Sequence, residues 1–180
     1  QQGDSYGRTF CIDDRHGWFE VRPDPMKPVL LLTLHWPYPD GLSIVISKLR
    51  RLLDLDADMQ QIDHHIGVFF QEAHIPGLRI PGVWDRWEAA VRAVLGQQVS
   101  VAGARAQLNR LCTELGEGVF AGQTPDGVAM RLFPTPLAVI NSDLLMIKVP
   151  QARRDTLHSL AQAVLKNPEA DPSEWLSLKG

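Results

Sequence analysis

No hydrophobic run in this 180-residue chain approaches a membrane span. Apolar runs such as Val29–Leu32 stop at four residues, against the roughly 20 that a bilayer-crossing helix needs. No basic segment followed by an apolar stretch opens the chain, so no secretory signal is visible. Cysteine is scarce. Cys11 and Cys112 alone cannot build a disulfide framework, and two buried free thiols in a reducing compartment fit better than one long-range bridge. A surplus of positive charge is missing too. Eighteen Lys and Arg against 21 Asp and Glu leave a net charge of -3, which counts against a dedicated nucleic-acid binder with an overall basic footprint. Internal repeats and low-complexity tracts are absent. The chain does not begin with Met but with Gln1-Gln2-Gly3-Asp4, so it is expected to start inside a longer protein.

Metal-ligand patterns are also lacking. Asp54, Asp56 and Asp58 have the opening spacing of a calcium loop, but Met59 and His65 stand where the required Gly and Glu would be. These aspartates are expected to cap and charge a helix N-terminus instead. His64, His65 and His74 have no Cys or second carboxylate at ligand spacing, so they read as surface residues and no metal is expected. Ser100 has no partnered His nearby, which leaves a nucleophile without support.

What is present is a composition typical of a globular protein, with 44% hydrophobic and 22% charged residues. The charges are unevenly placed. Five acids and no Lys or Arg lie between Asp54 and His74, whereas Asp85–Arg110 holds Arg86, Arg92, Arg105 and Arg110 against two acids. Lys148–Lys166 carries four bases and one acid. The second half is thus the one suited to face phosphates.

Pattern along the chain predicts strands over Tyr6–Ile12, Trp18–Arg22 and Val29–Trp36, the last buried, with a turn over Asp13–Gly17. Pro23, Pro25 and Pro28 fill the connection between the last two strands. Ser43 is expected to cap a helix with Val45, Leu49, Leu52 and Leu53 inward. A second helix follows, with a stripe of Met59, Ile62, Ile66 and Phe69. Pro76-Gly77 and Pro81-Gly82 mark a boundary zone over Glu72–Gly82, which divides the chain into 1–72 and 73–180. Beyond it the pattern is helical. Trp84, Trp87, Val91, Val94 and Leu95 form one stripe that reads as core packing rather than base stacking, and Gly96 weakens or ends that helix. Ser100 starts the next, with Val101, Ala104, Leu108, Leu111, Cys112 and Leu115 inward and Gly116 as its stop. After a loop-rich stretch, Thr135 or Pro136 starts a short helix through Ile140. Pro150 precedes a helix over Gln151–Lys166 ended by Asn167-Pro168, and Ser173 begins one more.

The segment Gly77-Leu78-Arg79-Ile80-Pro81-Gly82 runs on into Arg92-Ala93-Val94-Leu95-Gly96-Gln97-Gln98-Val99-Ser100-Val101. In these residues the sequence resembles the bacterial DNA-3-methyladenine glycosylase II family, of the helix-hairpin-helix glycosylase superfamily. Leu132–Pro136, Pro150 with Arg153–Leu157, and Trp175–Gly180 follow in the family's order. The resemblance implies an α+β fold: a small N-terminal antiparallel sheet with helices, then part of an all-α helix-hairpin-helix glycosylase domain. It implies a base-excision repair enzyme, an N-glycosylase that flips an alkylated base such as 3-methyladenine out of duplex DNA and hydrolyses its glycosidic bond. No cofactor is implied. The expected partner is double-stranded DNA with alkylated bases, without a membrane, for a monomer in the cytoplasm that meets the nucleoid through DNA.

The resemblance also assigns residues. An enzyme that extrudes a base needs something to fill the gap. A helix that breaks at Gly96 and presents Gln97 and Gln98 suits that task, since glycine permits close approach and a protruding side chain can enter the minor groove. Gln98 matches the family's intercalating plug, where an apolar residue is common, and Val99 and Ser100 complete the DNA-binding turn. Without the resemblance, Gln97 and Gln98 read first as residues that only cap a kinked helix through backbone hydrogen bonds. Lys179 and Gly180 match the lead into the phosphate-binding hairpin. The family's catalytic aspartate would fall after Gly180, so no catalytic residue is expected within the chain. Two other readings stay open: an oxidised-guanine glycosylase with a lyase lysine on the same scaffold, and a non-catalytic DNA-binding module or fusion partner of an alkylation-response regulator.

Overall fold

A computed structural model describes residues 5–70, 75–119 and 130–170. Its first element pair is a hairpin. β1 (Tyr6–Ile12) and β2 (Arg15–Pro23) pair antiparallel, with Ile12 opposite Arg15. Only Asp13 and Asp14 turn the chain, at φ 49° and 58°, a left-handed pair whose twist matches the strands it joins. The turn is therefore shorter than the Asp13–Gly17 expected. Gly17 belongs to β2, opposite Phe10. A Cβ on it would overlap the Phe10 ring, which stacks on Trp36 at 5.4 Å. Glycine is needed there for aromatic packing rather than for a turn.

β3 (Leu30–His35) adds to β2 in antiparallel register, completing a sheet of order β1-β2-β3. Phe10, Phe19 and Val21 point into the core. On the opposite face Trp18 stacks on its register partner His35, 5.9 Å apart and nearly parallel. The expectation that Val29–Trp36 is a buried strand is wrong. Val29, Leu30 and Leu32 are exposed and Leu31 and Leu34 half-buried, since β3 is an edge strand of the sheet. The cysteines are free, as expected, but Cys11 is exposed and Cys112 half-buried. The Cys11 thiol is pushed above its ordinary pKa by partial desolvation and then by the charge of Asp14, with a backbone hydrogen bond to Asp14 opposing the shift.

The chain forms two compact units, one of residues 38–89 and the other of 1–37 with 90–180. In the 38–89 unit, α1 (Leu42–Leu52) buries Val45, Leu49 and Leu52. Its N-cap is Gly41 at φ 81°, with no side-chain cap. Ser43 therefore lies in the first turn and does not cap, since glycine's left-handed backbone already sets the chain entry. α2 (Met59–Phe70) starts where Asp58 Oδ1 accepts from the Gln61 amide at 3.1 Å. The stripe predicted for α2 is not buried: the helix has no buried residue, and Phe69 is 80% exposed. The Pro–Gly segment after it is tied to α1 through Gly82 N–H to Leu52 O at 2.9 Å. Arg79 also donates to the Asp54 carbonyl. Trp84 and Trp87 are buried, with Lys48 Nζ 5.5 Å above the Trp84 ring.

α3 (Arg86–Gly96) begins under Asp85, whose Oδ1 accepts from the Glu88 amide at 2.8 Å. Val91, Val94 and Leu95 fall in the core. α4 (Val101–Leu115) is capped by Ser100 Oγ, which accepts from Gly103 N at 3.1 Å. It ends at Gly116, where a Cβ would collide with the carbonyls of Cys112 and Leu132. Two-residue strands β4 (Gly118–Val119) and β5 (Met130–Arg131) pair in the loop-rich stretch. Thr9 Oγ1 donates to Arg131 O at 2.7 Å, joining the first sheet to β5. α5 (Pro136–Ile140) is capped by Thr135, and α6 (Gln151–Lys166) buries Leu157, Leu160, Ala161, Ala163 and Val164. Among the described residues no helix is long and apolar enough to cross a membrane.

Candidate nucleic-acid interface

The turn joining α3 to α4 is exposed and carries a sequence signal. Residues 96 to 100 are all exposed. Gln98 sits at φ 55°, a region that suits a short chain reversal but strains a residue with a Cβ. Gly96 has an ordinary φ, and nothing lies within 4 Å of where its Cβ would be. Folding itself does not require glycine at that position. Ser100 uses its hydroxyl as the α4 cap, which occupies the one side-chain oxygen that a nucleophile reading would need.

Apolar surface surrounds the two amides. Val99 is 42% and Val101 80% exposed. The sequence placed Val101 on the inward stripe of α4. It points outward because the buried stripe begins only at Leu108, while the first turn of α4 projects with the loop before it. An outward valine beside Gln98 is a feature that periodicity alone assigns to the wrong face.

The α3–α4 turn is also held from a distance. Arg153, in the first turn of α6, donates from Nη2 to the Gln97 carbonyl at 3.0 Å, across 56 positions of sequence. Its neighbour Arg154 is turned to its own helix start, donating to Val149 O at 3.0 Å and to Gln151 Oε1 at 3.2 and 2.6 Å. Gln107 of α4 accepts from the Lys148 amide at 2.7 Å and from Arg110 at 3.2 Å. The loop before α6 is thereby pinned to α4, with Lys148 exposed. Arg92 and Arg105 are exposed on α3 and α4. No local pattern predicts these cross-chain contacts. Lys179 and Gly180, expected at the hairpin, lie outside the described residues, as do His74 and the helix expected from Ser173.

The other polar clusters have structural roles. Asp58 caps α2, Asp56 pairs with Arg50, and Asp54 Oδ2 accepts from Ile80 N at 3.3 Å. His64 and His65 are exposed and meet edge to face. Among the described residues no group of three His, Cys, Asp or Glu could hold a metal ion.

Solved structures share this arrangement of sheet and helices. A 3-methyladenine DNA-glycosylase from Archaeoglobus fulgidus superposes with a TM-score of 0.73 at 15% identity, over 89% of this chain and 56% of that one. An 8-oxoguanine glycosylase/lyase from Clostridium acetobutylicum, solved with double-stranded DNA, gives 0.62 at 12% identity, over 93% and 58%. The chain shares the fold of these proteins over about nine-tenths of its length. Residues 1–85 match the AlkA N-terminal domain. DNA-3-methyladenine glycosylase 2 of Escherichia coli is 31% identical over 164 residues. A protein of Mycobacterium tuberculosis, named as a bifunctional transcriptional activator/DNA repair enzyme AlkA, is 33% identical over the same length. The chain is thus similar to DNA-3-methyladenine glycosylases both in sequence and in fold. It spans 56% of the E. coli relative and 32% of the mycobacterial one.

Proposed function

We propose that the protein carrying this chain is a base-excision repair N-glycosylase that removes alkylated bases such as 3-methyladenine from duplex DNA. It flips the damaged nucleotide and hydrolyses the glycosidic bond. The turn Gly96–Ser100 enters the minor groove and Gln98 takes the vacated place in the stack, with Lys179 and Gly180 leading into a phosphate-binding hairpin. The observation that carries this reading is the exposed α3–α4 turn, which holds Gln98 at φ 55° beside a glycine that the fold does not need. A helix end of that kind lets backbone approach DNA while a side chain projects. An alkylated purine is already a good leaving group when it carries positive charge. One carboxylate stabilising the oxocarbenium-like sugar is then sufficient catalysis.

The reading includes a monomer acting on double-stranded DNA in the cytoplasm, and a functional division of the chain near residue 72. The test uses the protein encoded by the whole reading frame that contains these residues. Incubated with methylated duplex DNA, it should release 3-methyladenine, measured chromatographically, well above a buffer control. Release no greater than the control overturns the proposal. The name of the mycobacterial relative supports a second reading, in which glycosylase and regulator are combined. Methylation-induced transcription that depends on this protein would favour it.

A further inference from the structure

Gln98 sits at φ 55°, a backbone region unfavourable to a residue with a Cβ, so an outside contact that fixes this turn has a defined effect on where Gln98 points. Arg153 makes such a contact. Its Nη2 donates to the Gln97 carbonyl at 3.0 Å. That carbonyl follows the last residue of α3, at the electronegative end of the helix where carbonyls lack intrahelical donors and cations are favoured. Arg153 stands on α6, whose buried Leu157 and Leu160 anchor it to the core. Its neighbour Arg154 is committed to Val149 and Gln151, which leaves the reach to the turn to Arg153.

We propose that Arg153 is a positioning residue for the Gln98 plug. By holding the Gln97 carbonyl it fixes the peptide plane between Gln97 and Gln98, and with it the direction in which the Gln98 side chain leaves the turn. The inference rests on the plug reading above and extends it to a residue that need not touch the damaged base. A main-chain acceptor suits this task, because the clamp then acts on backbone geometry whatever side chain stands at position 98.

The test uses the full-length protein and a duplex with a tetrahydrofuran abasic analogue opposite 2-aminopurine, whose fluorescence reports plug entry. Arg153→Met keeps the aliphatic stem and removes the donors. It should weaken binding to this duplex by about tenfold, the lower end for a hydrogen bond from a charged group, and reduce the fluorescence change at saturation. Undamaged duplex should be bound nearly as before. Arg153→Lys should restore part of both signals. In a Gln98→Ala background, Arg153→Met should add little, since the plug it positions is gone. Equal losses on damaged and undamaged duplex with a shallower salt dependence would make Arg153 a phosphate contact and overturn the proposal. Unchanged binding and fluorescence in Arg153→Met would overturn it as well. If Gln98→Ala alone changes neither signal, the plug reading fails and the proposal fails with it. A Gln98 effect without an Arg153 effect refutes only the positioning role.

Discussion

Gln98 and Gly96 can be separated by experiment because they differ in what the fold asks of them. Gln98 is exposed at a left-handed position, so Gln98→Ala removes the proposed plug while leaving the backbone penalty unchanged. It should weaken binding to abasic-site DNA by about 1 kcal/mol or more, on the scale of lost stacking, with little shift in melting temperature. Gln98→Leu should keep or improve that binding. Gln98→Ile is different, because a β-branched chain is poorly tolerated at positive φ. It should lower stability, and equal stability for the Leu and Ile variants would contradict the observed turn geometry. Gly96→Ala tests the neighbouring residue. Its new methyl meets nothing within 4 Å, and alanine in place of a helical glycine stabilises by about 0.5–1 kcal/mol. A higher melting temperature combined with weaker DNA binding is expected. Higher stability with unchanged binding would show that glycine is not there for close approach to DNA.

The proposed interface also depends on how α4 starts and stops. Ser100 Oγ caps Gly103 at 3.1 Å, so Ser100→Ala should cost about 1 kcal/mol of stability. Ser100→Asp keeps a capping oxygen and suits the helix dipole, but places a negative charge on the proposed DNA face. It should match wild type in thermal melts and bind every duplex more weakly. Undiminished binding by Ser100→Asp would move the phosphates away from this turn. At the other end, Gly116→Ala drives a methyl into the carbonyls of Cys112 and Leu132. A loss of about 1–3 kcal/mol is expected from such overpacking, read by chemical denaturation. Most of these boundaries were legible beforehand. The Ser100 and Thr135 caps, the stops at Gly96, Gly116 and Asn167, and the start at Gln151 all follow from local rules that the structure obeys. Ser43 lost the cap to Gly41, whose backbone sets the entry to α1. Val101, the α2 stripe and the β3 leucines were assigned from periodicity, which gives the shape of an element but not which face meets a neighbour.

For the molecule as a whole, the net charge of -3 conceals an unequal distribution. The bases that matter for DNA are expected in the helical half, and the structure refines which of them to test. Arg154 is already engaged by Val149 and Gln151, while Arg105 is exposed on α4. In the other unit, Arg50 is paired with Asp56. Each phosphate neutralised contributes about 0.9 to the slope of log affinity against log salt. Arg105→Gln should therefore flatten that slope by about one unit, and Arg50→Gln should leave it nearly unchanged. Equal slopes for the two variants would contradict a basic DNA face on the helical half.

The order and type of most elements, the scarcity of cysteine, the Gly96-Gln97-Gln98 break and the family resemblance were all legible before folding. Each of these is written in neighbouring residues: a cap and its amide lie three positions apart, and a helix stripe repeats within a turn. Packing placed Gly17 under Phe10 rather than in the turn, turned Val101 outward, and brought Arg153 to the Gln97 carbonyl. Those facts depend on residues that are distant in the chain and adjacent only after packing. Nothing in the local pattern around position 97 or position 153 selects the other, because a main-chain carbonyl leaves no mark in the sequence and its donor is fixed only when α6 docks.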